Sequence, residues 1–289
     1  MKKAVLLSVL VLLVTSFSFA VTLGLSVSTL NNPFFVDLAN GAKDKAKELG
    51  IDIKVVDARD DSAKQLNDVE DLIRQKVDIL LINPTDSDAI VAAIEEANEA
   101  NIPVITVDRG SSGGIVLLHI ASDNVAGGRL AGEYIAEKIG GKGKVIELVG
   151  IPGTSSARDR GKGFNEVIEK YPEIKVVARQ TANYNRAEGL TVMENLLQAH
   201  PDINAVFAHN DEMALGAIEA IKAAGKLKNI IVVGFDATPD ALESVKKGEL
   251  SATIAQQPYR MGELAVEKAY EFLQTKTIYF PVDLQLVTQ

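Results

Sequence analysis

The sequence predicts an α/β protein built of two similar lobes, each with a doubly wound parallel sheet. Short runs of β-branched and other apolar residues alternate with amphipathic helical runs along the chain. Continuous apolar strands that alternate with helices are typical of parallel sheets covered on both faces. About ten such units are too many for one ordinary sheet, and one segment of the first half resembles one of the second half. Two lobes therefore account for the chain better than one.

The first half of the chain contains five predicted strands. The helical runs between them follow the spacing of one apolar face, and the first is expected to end at Gly50, a residue suited to the left-handed end of a helix. In order, the predicted strands cover residues 21–28, 52–58, 78–84, 103–109 and 117–123. The predicted helices cover residues 34–49, 62–76, 86–100 and 124–139.

The second half shows the same alternation. Its predicted strands cover residues 144–150, 175–182, 205–211, 230–236 and 251–256. Its predicted helices cover residues 158–170, 186–199, 212–224, 239–247 and 260–274. The tail, residues 279–288, is expected to be extended.

Two segments of the chain, residues 80–109 and 206–236, resemble each other. Each has a strand with an Asn at its end, acidic residues that open an Ala-rich helix, and a second strand that ends in Asp. Asn83 and Asp108 are 25 residues apart, and Asn210 and Asp236 are 26 apart. Any two βαβ units share strands and a helix, but they do not share matched Asn and Asp residues. We interpret the pair as an internal repeat with one copy in each lobe.

The first twenty residues have the pattern of a secretory signal peptide. Lys2 and Lys3 precede an apolar run over residues 4–14, and the segment ends in Ser18-Phe19-Ala20, with small residues placed as a cleavage site requires. A membrane anchor is the alternative, but an apolar run of about eleven residues is short for a bilayer span of about 20. We expect cleavage after Ala20 and a free, soluble mature protein outside the cytoplasm.

Composition and charge argue against several classes of protein. The expected loss of Lys2 and Lys3 changes the formal charge from −9 to −11, and no basic block is present, so nucleic acid and anionic membranes are poor partners. The chain has no cysteine for disulfides or a lipid anchor. Its three histidines, His119, His200 and His209, lack partners at zinc spacing. We therefore expect no metal and no cofactor, and we expect His209 to be a strand or supporting residue.

Polar and aromatic side chains cluster where the predicted strands end. Ligands of open parallel sheets bind beyond the carboxyl ends of the strands, so two facing lobes would line a cleft with these groups. The first lobe contributes Ser28, Asn32, Phe34, Phe35, Asn83, Asp108 and Arg109. The second contributes Arg158, Arg160, Tyr184, Asn210, Asp211, Phe235, Asp236 and Gln256.

The segment from Asn31 to Phe35 places two aromatic residues side by side after a proline. Pro33 suits the first turn of a helix, and either Asn31 or Asn32 can cap that helix. Adjacent helix positions point about 100° apart, so one helix face cannot bury both rings. We expect both rings to reach into the cleft and stack on one side of a ligand, with the two second-lobe rings opposite.

A neutral sugar fits these side chains. Aromatic rings can cover the faces of a sugar ring, and carboxylate, amide and guanidinium groups can form forked hydrogen bonds with its hydroxyls. Asp108 and Asp236 also resemble a glycosidase carboxylate pair, but each adjoins a residue suited to holding a ligand. The loop at 150–161 lacks the dinucleotide and Walker fingerprints, and no Ser-His-Asp or Cys-His pattern is visible. Binding is therefore favoured over catalysis.

Eight segments resemble the D-ribose-binding proteins of bacterial ABC import systems: VSTLNNPFF, LLINPTDSDA, NIPVITVDR, HIASDN, GTSSARDRGKGF, NLLQAHPDINAVFAHNDEMALGA, VVGFDATPD and ATIAQ. The resemblance runs from about residue 21 to the C-terminus. It implies a type I periplasmic binding protein, whose two lobes are joined by a three-strand hinge and close over one sugar. It further implies a periplasmic D-ribose receptor, without enzymatic activity or cofactor, that delivers its ligand to the permease of an ABC transporter.

The same resemblance implies a set of ligand contacts, carried over position by position. They are Ser28, Asn32, Phe34, Phe35, Asn83, Asp108, Arg109, Arg160, Tyr184, Asn210, Phe235, Asp236 and Gln256. Tyr184 falls where ribose binders usually have Phe, so the ring is kept and a hydroxyl is added. Arg158 matches the family as a supporting residue.

The strand arrangement suggests three crossings between the lobes, near Ser122-Asp123, Gln256-Gln257 and Leu284-Leu286. After a signal peptide at 1–20, the N-terminal lobe would comprise residues 21–122 plus 257–285, and the C-terminal lobe residues 123–256 plus 286–289. Three crossings would make the relative motion a hinge.

Several alternatives stay open at this point. A receptor for another sugar or a furanose-like signal, such as allose or autoinducer-2, belongs to the same class. A transcriptional repressor with the same lobes would need a helix-turn-helix before residue 21, where this chain has the signal-like segment. Docking to a chemoreceptor is a family option that no residue establishes, and a monomer is expected.

Overall fold

A computed structural model describes residues 21–278 of the chain. The predicted signal peptide, the extended tail and the crossing near Leu284-Leu286 lie outside the described residues. Within residues 21–278, no helix has the length and apolar character that a membrane crossing requires.

The first sheet has five parallel strands in the spatial order β2-β1-β3-β4-β5. In chain order they are β1 (Thr22–Val27), β2 (Asp52–Asp57), β3 (Ile79–Ile82), β4 (Val104–Val107) and β5 (Leu118–Ile120). The helices between them are α1 (Pro33–Leu49), α2 (Ser62–Arg74) and α3 (Val91–Glu99).

The second sheet has five parallel strands in the order β10-β9-β8-β6-β7. They are β6 (Lys142–Val149), β7 (Glu173–Thr181), β8 (Ala205–Ala208), β9 (Ile231–Asp236) and β10 (Ala252–Ala255). The remaining helices are α4 (Asn124–Lys138), α5 (Ser155–Ile168), α6 (Arg186–Ala199), α7 (Asp211–Ala223), α8 (Pro239–Lys246) and α9 (Pro258–Thr275). A short 3₁₀ turn at Leu227–Asn229, which the pattern does not predict, precedes β9.

Both sheets have one topology, because each places its second strand at an edge, followed by the first, third, fourth and fifth. The prediction of two similar doubly wound parallel-sheet lobes is confirmed. The strands read as continuous apolar runs because helices cover both faces, and β3, β4 and β8 are buried along their whole length.

The hydrogen bonds between strands shift the alignment of the two repeat copies by one residue at the end of β8. Ser26 and Leu148 each lie six residues before the residue that caps the next helix. The carbonyl of Ser26 accepts from the Asn83 N–H, whereas that of Leu148 accepts from the His209 N–H. His209, and not Asn210 as the sequence match suggests, therefore lies at the position of Asn83.

Local hydrogen bonds explain where two helices begin. The helix predicted from residue 158 starts at Ser155, because the Thr154 side chain accepts from the Ala157 N–H and caps it. The helix predicted from residue 86 starts at Val91, and Asp86 accepts from the N–H groups of Asp88 and Ala89 in the turn that precedes it. Short polar side chains bond to nearby backbone N–H groups in this way at turns and helix starts.

The chain leaves the first sheet after β5 and enters α4, which packs against α5 of the second lobe. It returns after β10 into α9, which packs along α1 of the first lobe. The α1–α9 contact is close, because an added Cβ at Gly41 or Gly262 would overlap backbone atoms of the facing helix. These two passages lie at the first two predicted crossings; the full lobe boundaries stay a prediction, since the third crossing falls beyond residue 278.

Candidate functional site

A small cavity lies between the carboxyl edges of the two sheets. Its free volume for a water-sized sphere is about 10 Å³, about the room of one water molecule and far below the roughly 300–1,000 Å³ of pockets for drug-sized ligands. Its walls come from both lobes: Asn32, Phe34, Phe35, Asp108, Arg109, Ser156, Arg160, Tyr184, Asn210 and Asp236. All but Ser156 are residues that the sequence analysis predicts as contacts.

Asp108 and Arg109, directly after β4, form a buried charged fork. Their side chains are each 3% exposed, and Arg109 Nε lies 3.8 Å from Asp108 Oδ2. Asn83 Nδ2 donates to Asp108 Oδ2 at 3.3 Å, and Arg109 Nη1 donates to the Pro84 carbonyl at 3.3 Å. Asp108 Oδ1 and Arg109 Nε are buried and have no hydrogen-bond partner among residues 21–278. Such atoms are costly unless a ligand or water meets them.

Burial raises the pKa of Asp108, and the charges of Arg109 and Arg160 offset part of that rise. Burial also raises the pKa of Asp236, with Arg160 again opposing it. Arg160 Nη1 lies 3.7 Å from Asp236 Oδ1. Two buried carboxyl groups thus face two buried guanidinium groups.

Asn32 explains how two adjacent rings reach the cavity. Its side chain accepts from the Phe34 N–H at 2.9 Å and caps α1, with Pro33 in the first turn. The Phe34 and Phe35 rings meet edge to face with centroids 5.1 Å apart. Both rings line the cavity and also pack in the first-lobe core. The expectation that they reach only into the cleft is therefore incomplete.

Tyr184 forms the opposite aromatic wall. Its hydroxyl lies 3.0 Å from Ser156 Oγ, and an added Cβ at Gly150 would overlap the Tyr184 ring. The hydroxyl is thus held by its own lobe, and Gly150 leaves room for the ring. The Arg109 guanidinium lies 5.0 Å from the Phe35 centroid and 5.2 Å from the Tyr184 centroid, so it stacks between rings of both lobes.

Arg160 is the second buried guanidinium of the site. Its Nε donates to Asn124 Oδ1 at 2.8 Å and its Nη1 donates to the His209 carbonyl at 2.6 Å. Its guanidinium carbon lies 3.9 Å from the Phe235 centroid. Three of its five N–H groups are not used by these two hydrogen bonds.

Four predicted contacts lie behind the cavity wall. Asn83 Oδ1 accepts from the Ser28 N–H, and this bond links the loop after β3 to the loop after β1. Phe235 packs beneath Arg160 and against Gly127 of α4. Gln256 Nε2 donates to Asp236 Oδ1 at 2.8 Å, and it lines a neighbouring surface groove. These residues are placed to support the side chains that line the cavity.

Backbone strain is concentrated at the same edges. Asp108 and Asp236 have φ values of 63° and 120°, and Asn183 and Tyr184 have 49° and 58°. Non-glycine residues rarely adopt such conformations, and they cluster at functional sites. The turns after β2 and β7 have the same backbone conformation, with positive φ at the second and third residues after the strand. Asp60 (φ 58°) in the first lobe therefore occupies the position that Tyr184 has in the second. Asp60 lines the open mouth of the cleft, which sequence reasoning did not foresee.

A sequence profile of the periplasmic binding protein domain matches residues 23–277. The chain belongs to the periplasmic binding protein family. The ribose import binding protein RbsB of Bacillus subtilis is 55% identical over 268 residues, 91% of this chain and 87% of the relative. RbsB of Escherichia coli K12 is 53% identical over 270 residues, covering 93% and 90%. A periplasmic solute binding protein from Actinobacillus succinogenes, solved with bound D-allose, has a TM-score of 0.83 at 36% identity, covering 91% and 96%.

The lobes of this periplasmic binding protein touch at the rim of the cavity. The Ser87 N–H donates to the Gly153 carbonyl at 2.9 Å, and the Gly110 N–H donates to Ser155 Oγ at 2.9 Å. Arg158 reaches from α5 to Ser87 Oγ at 3.3 Å. Sequence reasoning predicts Arg158 only as a supporting residue and misses the rest, because a pattern of strands and helices does not say which loops meet.

Proposed function

We propose that this chain binds D-ribose in the cavity between its lobes and delivers it to the membrane permease of an ABC transporter. The observation that carries the proposal is a cavity lined by polar and aromatic side chains of both lobes, in which Asp108 Oδ1 and Arg109 Nε are buried without a hydrogen-bond partner among residues 21–278. Two relatives at 53–55% identity over about nine-tenths of the chain are ribose import binding proteins.

The charges around the cavity favour a neutral ligand with neighbouring hydroxyls. Two carboxyl groups face two guanidinium groups there, so an ionised ligand would upset the balance. A hydroxyl both donates and accepts, and adjacent hydroxyls can therefore satisfy a carboxylate oxygen and a guanidinium N–H together. The Phe34, Phe35 and Tyr184 rings that line the cavity suit the C–H faces of the same molecule.

A thermal-shift screen over pentoses and hexoses tests the proposal directly. A ligand that binds the folded state alone adds RT ln(1 + [L]/Kd) to its stability, about 4 kcal/mol at a thousandfold excess over Kd. We expect D-ribose to give the largest rise in Tm. No rise with D-ribose, alongside a clear rise with another sugar, would contradict the ribose assignment.

Replacing Asp108 by alanine tests the site. The change removes a buried hydrogen-bonding charge, so we expect a loss of at least about 2 kcal/mol, roughly 30-fold in D-ribose affinity by calorimetry. Asp71→Ala is the control, because Asp71 lies exposed on α2. Unchanged affinity in Asp108→Ala would remove Asp108 from the site.

D-allose is the second candidate ligand, because a solved neighbour at 36% identity contains it. A competition titration separates the two sugars. Tighter binding of D-allose than of D-ribose would replace the first proposal by the second.

We also propose that the protein acts in the periplasm as a monomeric receptor and not as an enzyme. The family membership and the relatives, which are import binding proteins, support the receptor role. Release of free sugar from ribosides mixed with the protein would contradict it. Docking to a chemoreceptor has no residue to support it and is not part of the proposal.

A further inference from the structure

A buried carboxylate and a buried imidazole lie beneath α5, outside the cavity wall. Glu147 on β6 and His209 after β8 each have side chains 1% exposed, and Glu147 Oε1 lies 2.9 Å from His209 Nε2. An added Cβ at Gly161 would come within 3.2 Å of Glu147 Oε1 and 3.3 Å of His209 Cε1. The backbone of α5 therefore lies directly over the pair.

The outer end of this pair reaches the surface. Arg179 on β7 donates from Nε to Glu147 Oε2 at 2.6 Å and from Nη2 to Asn165 Oδ1 at 2.6 Å. The Arg179 side chain is half exposed, so water reaches one end of the network and not the other.

The protonation states follow from these contacts. Burial by itself would raise the pKa of Glu147, but hydrogen bonds from His209 and Arg179 outweigh it and lower the pKa. Burial lowers the pKa of His209 and outweighs the opposing hydrogen bond and charge of Glu147, and the nearby Arg160 and Arg179 lower it further. A charged Glu147 can only accept, so the neutral imidazole donates from Nε2. Its Nδ1 is buried and has no partner among residues 21–278.

The fold itself does not require this network. By strand register, Leu25 of β1 is the counterpart of Glu147, because Leu25 pairs with Leu81 as Glu147 pairs with Phe207. Leu25 is fully buried in the apolar core under α1. The first lobe thus has the same topology with an apolar side chain at that position. Buried ionic groups are weak evidence for stability, so a role beyond folding is indicated.

The network ends at the candidate site. The His209 carbonyl accepts from Arg160 Nη1 at 2.6 Å, and the next residue, Asn210, lines the cavity. The imidazole is anchored on β6, so it restrains the segment that carries both the Arg160 acceptor and Asn210. Asn124 Oδ1 is the other acceptor for Arg160.

We infer that Glu147 and His209 are positioning residues for ligand binding, which hold the His209–Asn210 segment and through it orient the Arg160 guanidinium toward the cavity. The inference rests on the proposed function in one respect, which is the choice of D-ribose as the ligand for the binding measurements. The pair acts within the second lobe, so Arg160 is oriented before the lobes close.

Calorimetry on His209→Leu and Glu147→Gln tests the inference. His209→Leu removes the anchor, and we expect D-ribose affinity to fall about tenfold. Glu147→Gln keeps an acceptor for Nε2–H, and we expect affinity within about threefold of the parent. Tyr134→Phe is the matched control, because it removes a hydrogen bond to the Ser251 carbonyl elsewhere in this lobe. It should lower Tm and leave affinity unchanged.

A double-mutant cycle separates positioning from general destabilisation. In an Arg160→Lys background, His209→Leu should cost less than about twofold, because the guanidinium it orients is gone. An equal tenfold loss in both backgrounds, or a lower Tm without loss of affinity, would overturn the inference.

NMR of the ligand-free chain gives a readout without any sugar. The Arg160 Nε–H signal, identified by its loss in Arg160→Lys, should exchange faster with solvent in His209→Leu than in the parent or in Tyr134→Phe. Unchanged exchange would overturn the inference even if D-ribose proves to be the ligand. Faster exchange with no D-ribose binding by the parent would contradict the proposed function alone.

Discussion

At the scale of single residues, the site is assembled from side chains held by their own lobes. Tyr184 is tied to Ser156, Asp108 to Asn83 and Asp236 to Gln256. Each of these bonds joins a cavity residue to a neighbour from another loop or helix. Restraint of this kind lowers the entropy lost when a ligand binds.

Tyr184→Phe should leave ligand affinity nearly intact. The hydroxyl bonds Ser156 Oγ, so its loss should lower the free energy of unfolding by about 1 kcal/mol while the ring stays in place. We expect D-ribose affinity within about threefold of the parent in Tyr184→Phe, and a loss of about fivefold or more in Tyr184→Leu, where the ring is absent. Calorimetry and urea unfolding measure the two effects. Equal losses in both variants would show that the hydroxyl itself contacts the sugar.

Asp211 should make stability depend on pH. It is buried and accepts from Thr238 N, Thr238 Oγ1 and Thr253 Oγ1, yet burial outweighs these bonds and raises its pKa to about 6. Between about pH 4 and 6 the folded state then binds more protons than the unfolded state, so this group's contribution falls as pH rises.

The variant Asp211→Asn isolates that contribution, because asparagine does not titrate. We expect the free energy of unfolding of the parent, minus that of the variant, to fall by about 2 kcal/mol between pH 4.5 and 7. Urea unfolding at several pH values measures it. A difference that stays flat or rises with pH would contradict the raised pKa.

At the scale of elements, the packing of helices onto one another decides how closely the backbones approach. The helices α1 and α9 are far apart in sequence but pack together at Gly41 and Gly262. In the second lobe, α4 and α5 approach in the same way at Gly128 and Gly163. These glycines are required by close approach and not by backbone conformation.

Gly41→Ala should destabilise the chain, although Gly→Ala inside a helix normally stabilises by about 1 kcal/mol. The added methyl would overlap the Tyr259 carbonyl, and overpacking costs typically 1–3 kcal/mol. We expect a net fall in Tm of a few degrees by calorimetry. Asn40→Ala, at the exposed neighbouring position of α1, should leave Tm equal or slightly higher. A rise in Tm for Gly41→Ala would mean that α9 shifts at little cost.

At the scale of the whole molecule, the two lobes touch through loops and the first turn of α5, at residues that are not part of the cavity wall. Ser87, Gly110, Gly153, Ser155 and Arg158 make these rim contacts. Bonds that exist only while the lobes are together add to the stability of that arrangement and not to sugar recognition.

Arg158→Ala should therefore weaken D-ribose binding by about threefold through faster dissociation. Arg158 is exposed and donates to Ser87 Oγ and the Gly153 carbonyl, so a large loss of stability is not expected. Arg129→Ala is the control, because Arg129 pairs with Glu166 within one lobe. Stopped-flow fluorescence or surface plasmon resonance gives the rates. An unchanged dissociation rate for Arg158→Ala would show that the rim contacts do not hold the lobes together.

Much of the site could be predicted from the sequence, because the end of an apolar run marks the end of a strand. Asn32, Asp108 and Arg109 follow apolar runs, and parallel strands bring their carboxyl ends to one edge. Ser156 was missed because it looks like an ordinary helix-start residue, and its role depends on the Tyr184 hydroxyl from another turn. The Glu147–His209 pair was missed because a lone Glu in an apolar strand has no local signal for its partner, 62 residues away.

The sequence by itself determined the two-lobe α/β fold and most of the side chains at the carboxyl edges. Those features follow from local periodicity, from capping residues such as Asn32 and from the geometry of parallel sheets. Only the tertiary structure decided which predicted contacts line the cavity and which stand behind it, and which loops meet at the rim. Those outcomes depend on side-chain direction and on contacts between distant segments, which spacing along a chain does not encode.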